Sequence, residues 1–252
     1  MYHSWLDRWD DKRAQRGNAL KCQTVFSLDA RLAFPIPESE NIGIADFIRL
    51  VERAVADDLF FEEPAKSNFN YTWKDGWIEY QSDIKTGVAE NDRIQAKVTD
   101  SITKKRALIV FHHWNARSRY KQIAAFLSRR GITVVQIAMP YHFERSRSES
   151  SYADYMISSN LGRTLQSVQQ AVSDGRKLIR ILEREGYEHI SVLGISLGSW
   201  IAGLVAATDR AVRKAGLFLT AGSLADMVWT GDATKHVRAS LEGQIDTTQL
   251  NR

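Results

Sequence analysis

A single cysteine, Cys22, stands among 252 residues. One thiol excludes an internal disulfide and any cysteine-based metal site, and it fits a reducing compartment. Proline is nearly as scarce, at four. There is no internal repeat and no low-complexity tract; the nearest, Glu144-Arg-Ser-Arg-Ser-Glu-Ser-Ser151, is short enough to be a polar loop. No apolar run approaches the ~20 residues of a membrane span, so none is expected. The first ten residues, Met1 to Asp10, hold no apolar signal core, and the expected location is cytoplasmic. The formal charge of +4 is spread over short clusters such as Lys104-Lys105-Arg106 and Arg129-Arg130. No basic run is interleaved with aromatics, so these are read as solvated faces and no nucleic-acid partner is expected.

What is present is an ordinary globular composition, 44% hydrophobic and 25% charged, in a chain long enough for a large core. The N-terminal stretch is charged, with Trp5, Leu6 and Trp9 as apolar anchors. Ile44, Ile48, Val51, Val55 and Leu59 recur at helical spacing, so 44–60 is expected to be an amphipathic helix closed by Pro64. Segments 77–82 and 93–98 alternate partially and read as edge strands. Ala107–Phe111 and Ile132–Ala138 are near-continuous apolar runs rich in branched residues, which suits strands buried on both faces of a parallel sheet. Helical spacing recurs at 118–130 and from about 159 to 185, with Gly186 where a C-terminal cap belongs. Ala215–Thr220 reads as another buried strand, 232–241 as a helix, and 244–252 as the start of one. Alternation of strand and helix from 107 to 220 implies crossover units, with helices on both faces of one mostly parallel α/β sheet. Residues 1–75 are expected to form an N-terminal extension packed on a core of 76–252. Catalytic loops should gather at the carboxyl ends of the strands, here 112–117, 139–151 and 194–198.

The last of these is Gly194-Ile195-Ser196-Leu197-Gly198, a G-x-S-x-G pentapeptide. Apolar residues precede it (Ile190, Val192, Leu193), and a run of small and apolar residues follows without charge until Asp209. That is the strand–turn–helix setting the motif requires. A turn this tight strains the backbone at the serine and leaves no room two residues away on either side, where glycine stands. The following helix aims N–H groups at the place where negative charge develops. The bland alternative is a Gly-flanked turn serine without chemistry.

These residues together resemble the α/β-hydrolases. The resemblance rests on the buried run ending at Phe111, the loop His112-His113-Trp114-Asn115-Ala116-Arg117, the loop Met139-Pro140-Tyr141-His142 and the elbow, in that order, and covers about 90 to 245. More narrowly, Glu90-Asn91-Asp92-Arg93-Ile94, Pro140-Tyr141-His142 and Asn160-Leu161-Gly162-Arg163-Thr164 look like a bacterial group related to alpha/beta-hydrolase domain-containing protein eighteen. The resemblance implies Ser196 as nucleophile, the Leu197 N–H as one oxyanion donor, and an N–H of His113 or Trp114 as the second, in a loop where many members carry His-Gly. His112, His142 and Tyr141 come from loops at the same end of the sheet and are candidates to line the pocket; His112, His113 and His142 could instead satisfy loop backbone groups, or one of them could serve as the base. No cofactor is implied. His112 and His113 are adjacent and no carboxylate stands at ligand spacing, so no metal site is expected.

The pattern departs from the family downstream. The triad order is Ser, then Asp or Glu, then His. After Ser196 the one histidine is His236, inside an expected helix with basic neighbours, and the acids are Asp209, Asp226, Asp232, Glu242 and Asp246. Full-length members add two further strands that bear the acid and the histidine, so the resemblance implies a C-terminally incomplete core. Two function classes follow. One is a serine hydrolase acting on a small-molecule acyl substrate through a Ser196 acyl-enzyme. The other is a non-catalytic or truncated α/β-hydrolase-fold protein, whose open sheet edge invites self-association.

Overall fold

The computed structural model describes residues 5, 8–9, 11–12, 15–17, 21, 24–37, 42–56, 59–61, 69–150, 152–220 and 222–251. Leu6, Cys22 and Pro64 lie outside the described residues. The chain divides into two compact units, one of Met1–Ala56, Ile157–Leu165 and Ala221–Arg252, the other of Asp57–Met156 and Gln166–Thr220.

The second unit is built on a mixed, seven-stranded sheet in the order β1-β2-β3-β5-β4-β6-β7. Its strands are β1 (Tyr71–Lys74), β2 (Trp77–Gln81), β3 (Arg93–Thr99), β4 (Arg106–Phe111), β5 (Thr133–Ile137), β6 (His189–Ile195) and β7 (Val212–Phe218). β1, β2, β3 and β5 pair antiparallel in turn, while β5, β4, β6 and β7 pair parallel. The helices are α1 (Ile44–Ala56), α2 (Lys121–Ser128), α3 (Leu161–Arg184), α4 (Leu197–Thr208), α5 (Leu224–Thr230), α6 (Lys235–Leu241) and α7 (Thr247–Leu250).

The strand alternation explains why helices cover both faces. Successive side chains of a strand point to opposite sides. Val110 packs with Ala124 of α2 and Val134 of β5. The next residue, Phe111, points the other way, and its ring packs against Gly175 of α3, which Val205 of α4 also approaches. A strand covered in this way is buried on both faces, and all five residues of β5 are buried.

Several expectations shift. β1 adds a hairpin with β2 through Asp75-Gly76, both at positive φ, so 77–82 pairs on both sides instead of lying at an edge. The helix expected over 44–60 ends at Ala56, and Leu59–Phe61 form a separate 3-10 turn. Trp5 and Trp9, the expected anchors, are 55% and 49% exposed. The main correction concerns the strand expected buried at 215–220. It begins earlier, at Val212, and is largely exposed, with Leu217 46%, Phe218 56% and Leu219 82% accessible. The reason is position: β7 is the last strand of the sheet, and among the described residues only β6 pairs with it.

The first unit is helical. It holds α1, α5, α6 and α7 together with residues 157–165, which include the first turn of α3. α7 starts with a capping box, in which the Asp246 carboxylate accepts the Gln249 N–H and the Gln249 side chain accepts the Asp246 N–H. Among the described residues no helix is long and apolar enough to cross a membrane.

Candidate active site

Ser196 stands between the end of β6 and the first residue of α4, with φ 54° and ψ −122°. Positive φ in a non-glycine residue costs of order 1–3 kcal/mol and persists only where its surroundings enforce it. The enforcement here is visible. Its N–H donates to the Phe218 carbonyl at 2.8 Å, extending the β6–β7 ladder, and its carbonyl accepts the Ser199 N–H at 2.8 Å. The flanking glycines are required by contact. A Cβ at Gly194 would lie 2.1 Å from the Gly198 oxygen, and one at Gly198 would lie 2.3 Å from the Phe111 oxygen and 2.5 Å from that of His112. The first turn of α4 therefore packs directly on the backbone leaving β4. Leu197 is buried and opens α4, so its N–H has no intrahelical acceptor. Among the described residues, no hydrogen bond engages the Ser196 hydroxyl.

The loop after β4 supplies the histidines. His112 is buried, and its Nδ1 lies 2.8 Å from the His113 carbonyl oxygen. That oxygen only accepts, so Nδ1 carries the proton, and Nε2 accepts the Met139 N–H at 3.1 Å. His142 repeats the arrangement: Nδ1–H donates to the Pro140 carbonyl at 2.8 Å and Nε2 accepts the Asn115 N–H at 2.9 Å. The two rings stand 4.6 Å apart, edge to face. Burial holds the His112 imidazole well below its usual range, with the neighbouring His142 adding to the effect; burial lowers His142 to about 4. Both rings are thus neutral clasps that join loops 112–115 and 139–142, with both nitrogens engaged by backbone. The His113 Nδ1 lies 2.6 Å from the Tyr120 hydroxyl, and its backbone N–H points at the same oxygen at 3.5 Å. The Trp114 indole N–H donates to the Ala153 carbonyl at 3.1 Å. Tyr141 is buried at φ 63°, and its N–H donates to the Asn91 side chain at 2.9 Å.

Residues that sequence reasoning passed over hold these loops. Asn115, at φ 55°, receives the Ala153 N–H on its side-chain oxygen at 2.8 Å while its own N–H engages His142. Arg145 lies in the stretch read as a polar loop, yet it is fully buried. Its guanidinium donates to the Asn91 carbonyl at 2.8 Å and the Ala138 carbonyl at 2.9 Å, and it pairs with Asp174 of α3 at 2.9 Å. Asp174 also accepts the Ser82 hydroxyl at 2.7 Å. An isolated arginine among serines shows no periodic signal. Its partner lies far along the chain, so only the fold reveals that it is an anchor. Asn at positive φ is the one clue of this group that residue type carries, since Asn tolerates that region better than most.

The acids after Ser196 have other partners. Asp209 is buried and pairs with Arg180 at 2.9 Å. Asp232 pairs with Lys235 at 2.6 Å and Glu242 with Arg238 at 3.5 Å. Asp246 caps α7, and Asp226 is exposed on α5. His236, in the helix expected there, is half-buried on α6, and burial lowers it to about 4. Beside the elbow, an apolar groove of about 680 Å³ runs between α2 and the ends of β6 and β7, walled by Ile123, Phe126, Leu193, Ile195, Phe218 and Leu219.

No protein-family model and no curated protein matches the sequence. Solved structures similar to it are α/β-hydrolases and esterases. Acetyl xylan esterase 1 from Thermoanaerobacterium sp. JW/SL YS485 is 17% identical, with 86% of this chain and 77% of that chain covered at a TM-score of 0.49. A cold-adapted esterase from an Arctic intertidal metagenomic library is 18% identical, with 61% and 65% covered at 0.43. The α/β hydrolase GrgF from Penicillium sp. sh18 is 14% identical, with 55% and 43% covered at 0.42. The match thus spans less than two thirds of the length of the latter two.

Proposed function

We propose that the chain is a serine hydrolase of the α/β-hydrolase type, acting on an ester or similar acyl bond of a small molecule. The observation that carries this reading is the strained Ser196 backbone, φ 54°, locked between two glycines that tolerate no Cβ. Such strain is retained where it presents a side chain for chemistry. In this mechanism the Ser196 oxygen attacks the acyl carbon while its proton passes to a base. The Leu197 N–H and a backbone N–H of the 112–115 loop receive the charge that develops on the carbonyl oxygen. The alcohol leaves with a proton, and water then releases the acid from the acyl-enzyme. His113 N–H is directed at Tyr120, which favours Trp114 as the second donor. The apolar groove beside Ile195 suits the hydrocarbon part of the substrate.

One observation favours a second reading, a fold of this type without turnover: among the described residues the Ser196 hydroxyl has no hydrogen-bonded base, and the His112 and His142 rings are spent on backbone groups. Association of a second strand with the open edge of β7 belongs to that reading. Intact-mass labelling by a fluorophosphonate probe separates the two. Labelling of the wild type that vanishes in a folded Ser196→Ala variant supports the hydrolase. A folded wild type that takes no label supports the second reading.

A further inference from the structure

The helical unit contains a cavity of about 130 Å³ whose lining belongs wholly to that unit. Phe47, Leu161, Ala225, Val228, Val237 and Leu241 line it and are buried. Ser158 and Thr164 also border it, but they satisfy one another. The Ser158 N–H donates to the Thr164 hydroxyl at 2.9 Å, and that hydroxyl donates to the Ser158 carbonyl at 3.0 Å. The Ser158 hydroxyl accepts the Asn160 N–H at 3.0 Å. Among the described residues no charged side chain lines the space. A water there would need two to four polar partners, and these walls offer few. Ile44, Leu224, Gln249 and Leu250 also border the cavity and are partly exposed.

We infer that this cavity is a binding pocket for one uncharged apolar molecule or group of about benzene's size. Three features point there together. The volume is close to the ~150 Å³ at which a cavity lined by Leu, Ile and Phe stays dry and takes up benzene or xenon. The lining rejects a charge, because burying an unpaired ion costs far more than the contacts return. Partly exposed lining residues, among them Ile44 and Leu250, place the cavity near the surface of that unit. The pocket is independent of Ser196, so either reading can fail without the other.

The test is thermal unfolding of the full chain with millimolar benzene or sodium benzoate. The same samples are read by the 19F line width of fluorobenzene. Benzene binding only the folded chain should raise Tm by roughly 2–4 °C, benzoate should leave it unchanged, and fluorobenzene should broaden and then sharpen again on addition of benzene. Ala225→Leu, which fills the space with three further carbons, should lose both effects. The fluorobenzene competition on the wild type stands alone if that variant does not fold. Absence of both the shift and the broadening overturns the pocket. So does an equal response to benzoate, or an undiminished response in a folded Ala225→Leu.

Discussion

Substituting Arg145 by Met removes a guanidinium that is fully buried and bound to three groups at once. Its partner Asp174 is then left buried with a single hydroxyl, that of Ser82, on its carboxylate. Breaking one side of a buried pair costs about 3–5 kcal/mol, because an uncompensated charge stays in the interior. In a chain of this size that corresponds to a fall in Tm of roughly 6–20 °C. The cost should depend on pH. Burial already raises the Asp174 carboxyl above its usual range, against the pull of Arg145. Without the arginine it rises further, so the folded variant binds a proton more readily than the unfolded chain. Its deficit therefore narrows as pH falls, once the carboxyl is neutral. Removing both charges, in Arg145→Met with Asp174→Leu, should return most of the stability, since an apolar pair in place of a buried ion pair is often neutral. A double-mutant cycle in denaturant at pH 7 and pH 5 measures all of this. A single-variant deficit below about 1 kcal/mol, or one that is pH-independent and simply additive with the second change, would refute the reasoning.

Three further outcomes follow. Because burial lowers His142 to about 4, its neutral form stabilises the fold fully above the unfolded value near 6.5 and loses that contribution as pH falls from 6.5 to 4, by about 3 kcal/mol; denaturant unfolding across this window should be shallower in His142→Gln, and equal slopes would contradict the buried clasp. Gly198→Ala forces a Cβ within 2.3 Å of the Phe111 oxygen and should cost about 2–4 kcal/mol by thermal unfolding, with loss of probe labelling. Gly203→Ala in the same helix has its nearest neighbour at 3.7 Å and should instead stabilise by about 0.5–1 kcal/mol; equal effects at both positions would remove the steric explanation of the elbow.

Local sequence was enough for those features whose cause is local. Apolar runs near 107–111 and 132–138 become β4 and β5, since a strand covered on both faces is apolar at most positions. The helical spacing after residue 159 becomes α3, and its stop at Arg184 is followed by Gly186 at φ 86°. The pentapeptide at 194–198 states its own turn, because only glycine fits where backbone meets backbone. What local pattern does not carry is partnership between residues far apart. β7 reads like any buried strand, and its exposure depends on there being no strand beyond it among the described residues. His112 and His142 read as residues that line a pocket or satisfy loop backbone groups, and residue type does not say which groups. Their task as clasps is set by two loops that meet only when β4 and β5 lie side by side. Arg145 reads as part of a polar loop and is interior, because Asp174 arrives from a helix 29 positions later. The sequence by itself therefore determined the elements and the turn that presents Ser196, through periodicity and backbone sterics. The tertiary structure alone decided which polar groups are buried, paired and neutral, because burial and pairing belong to the neighbours that folding brings together and not to the residue.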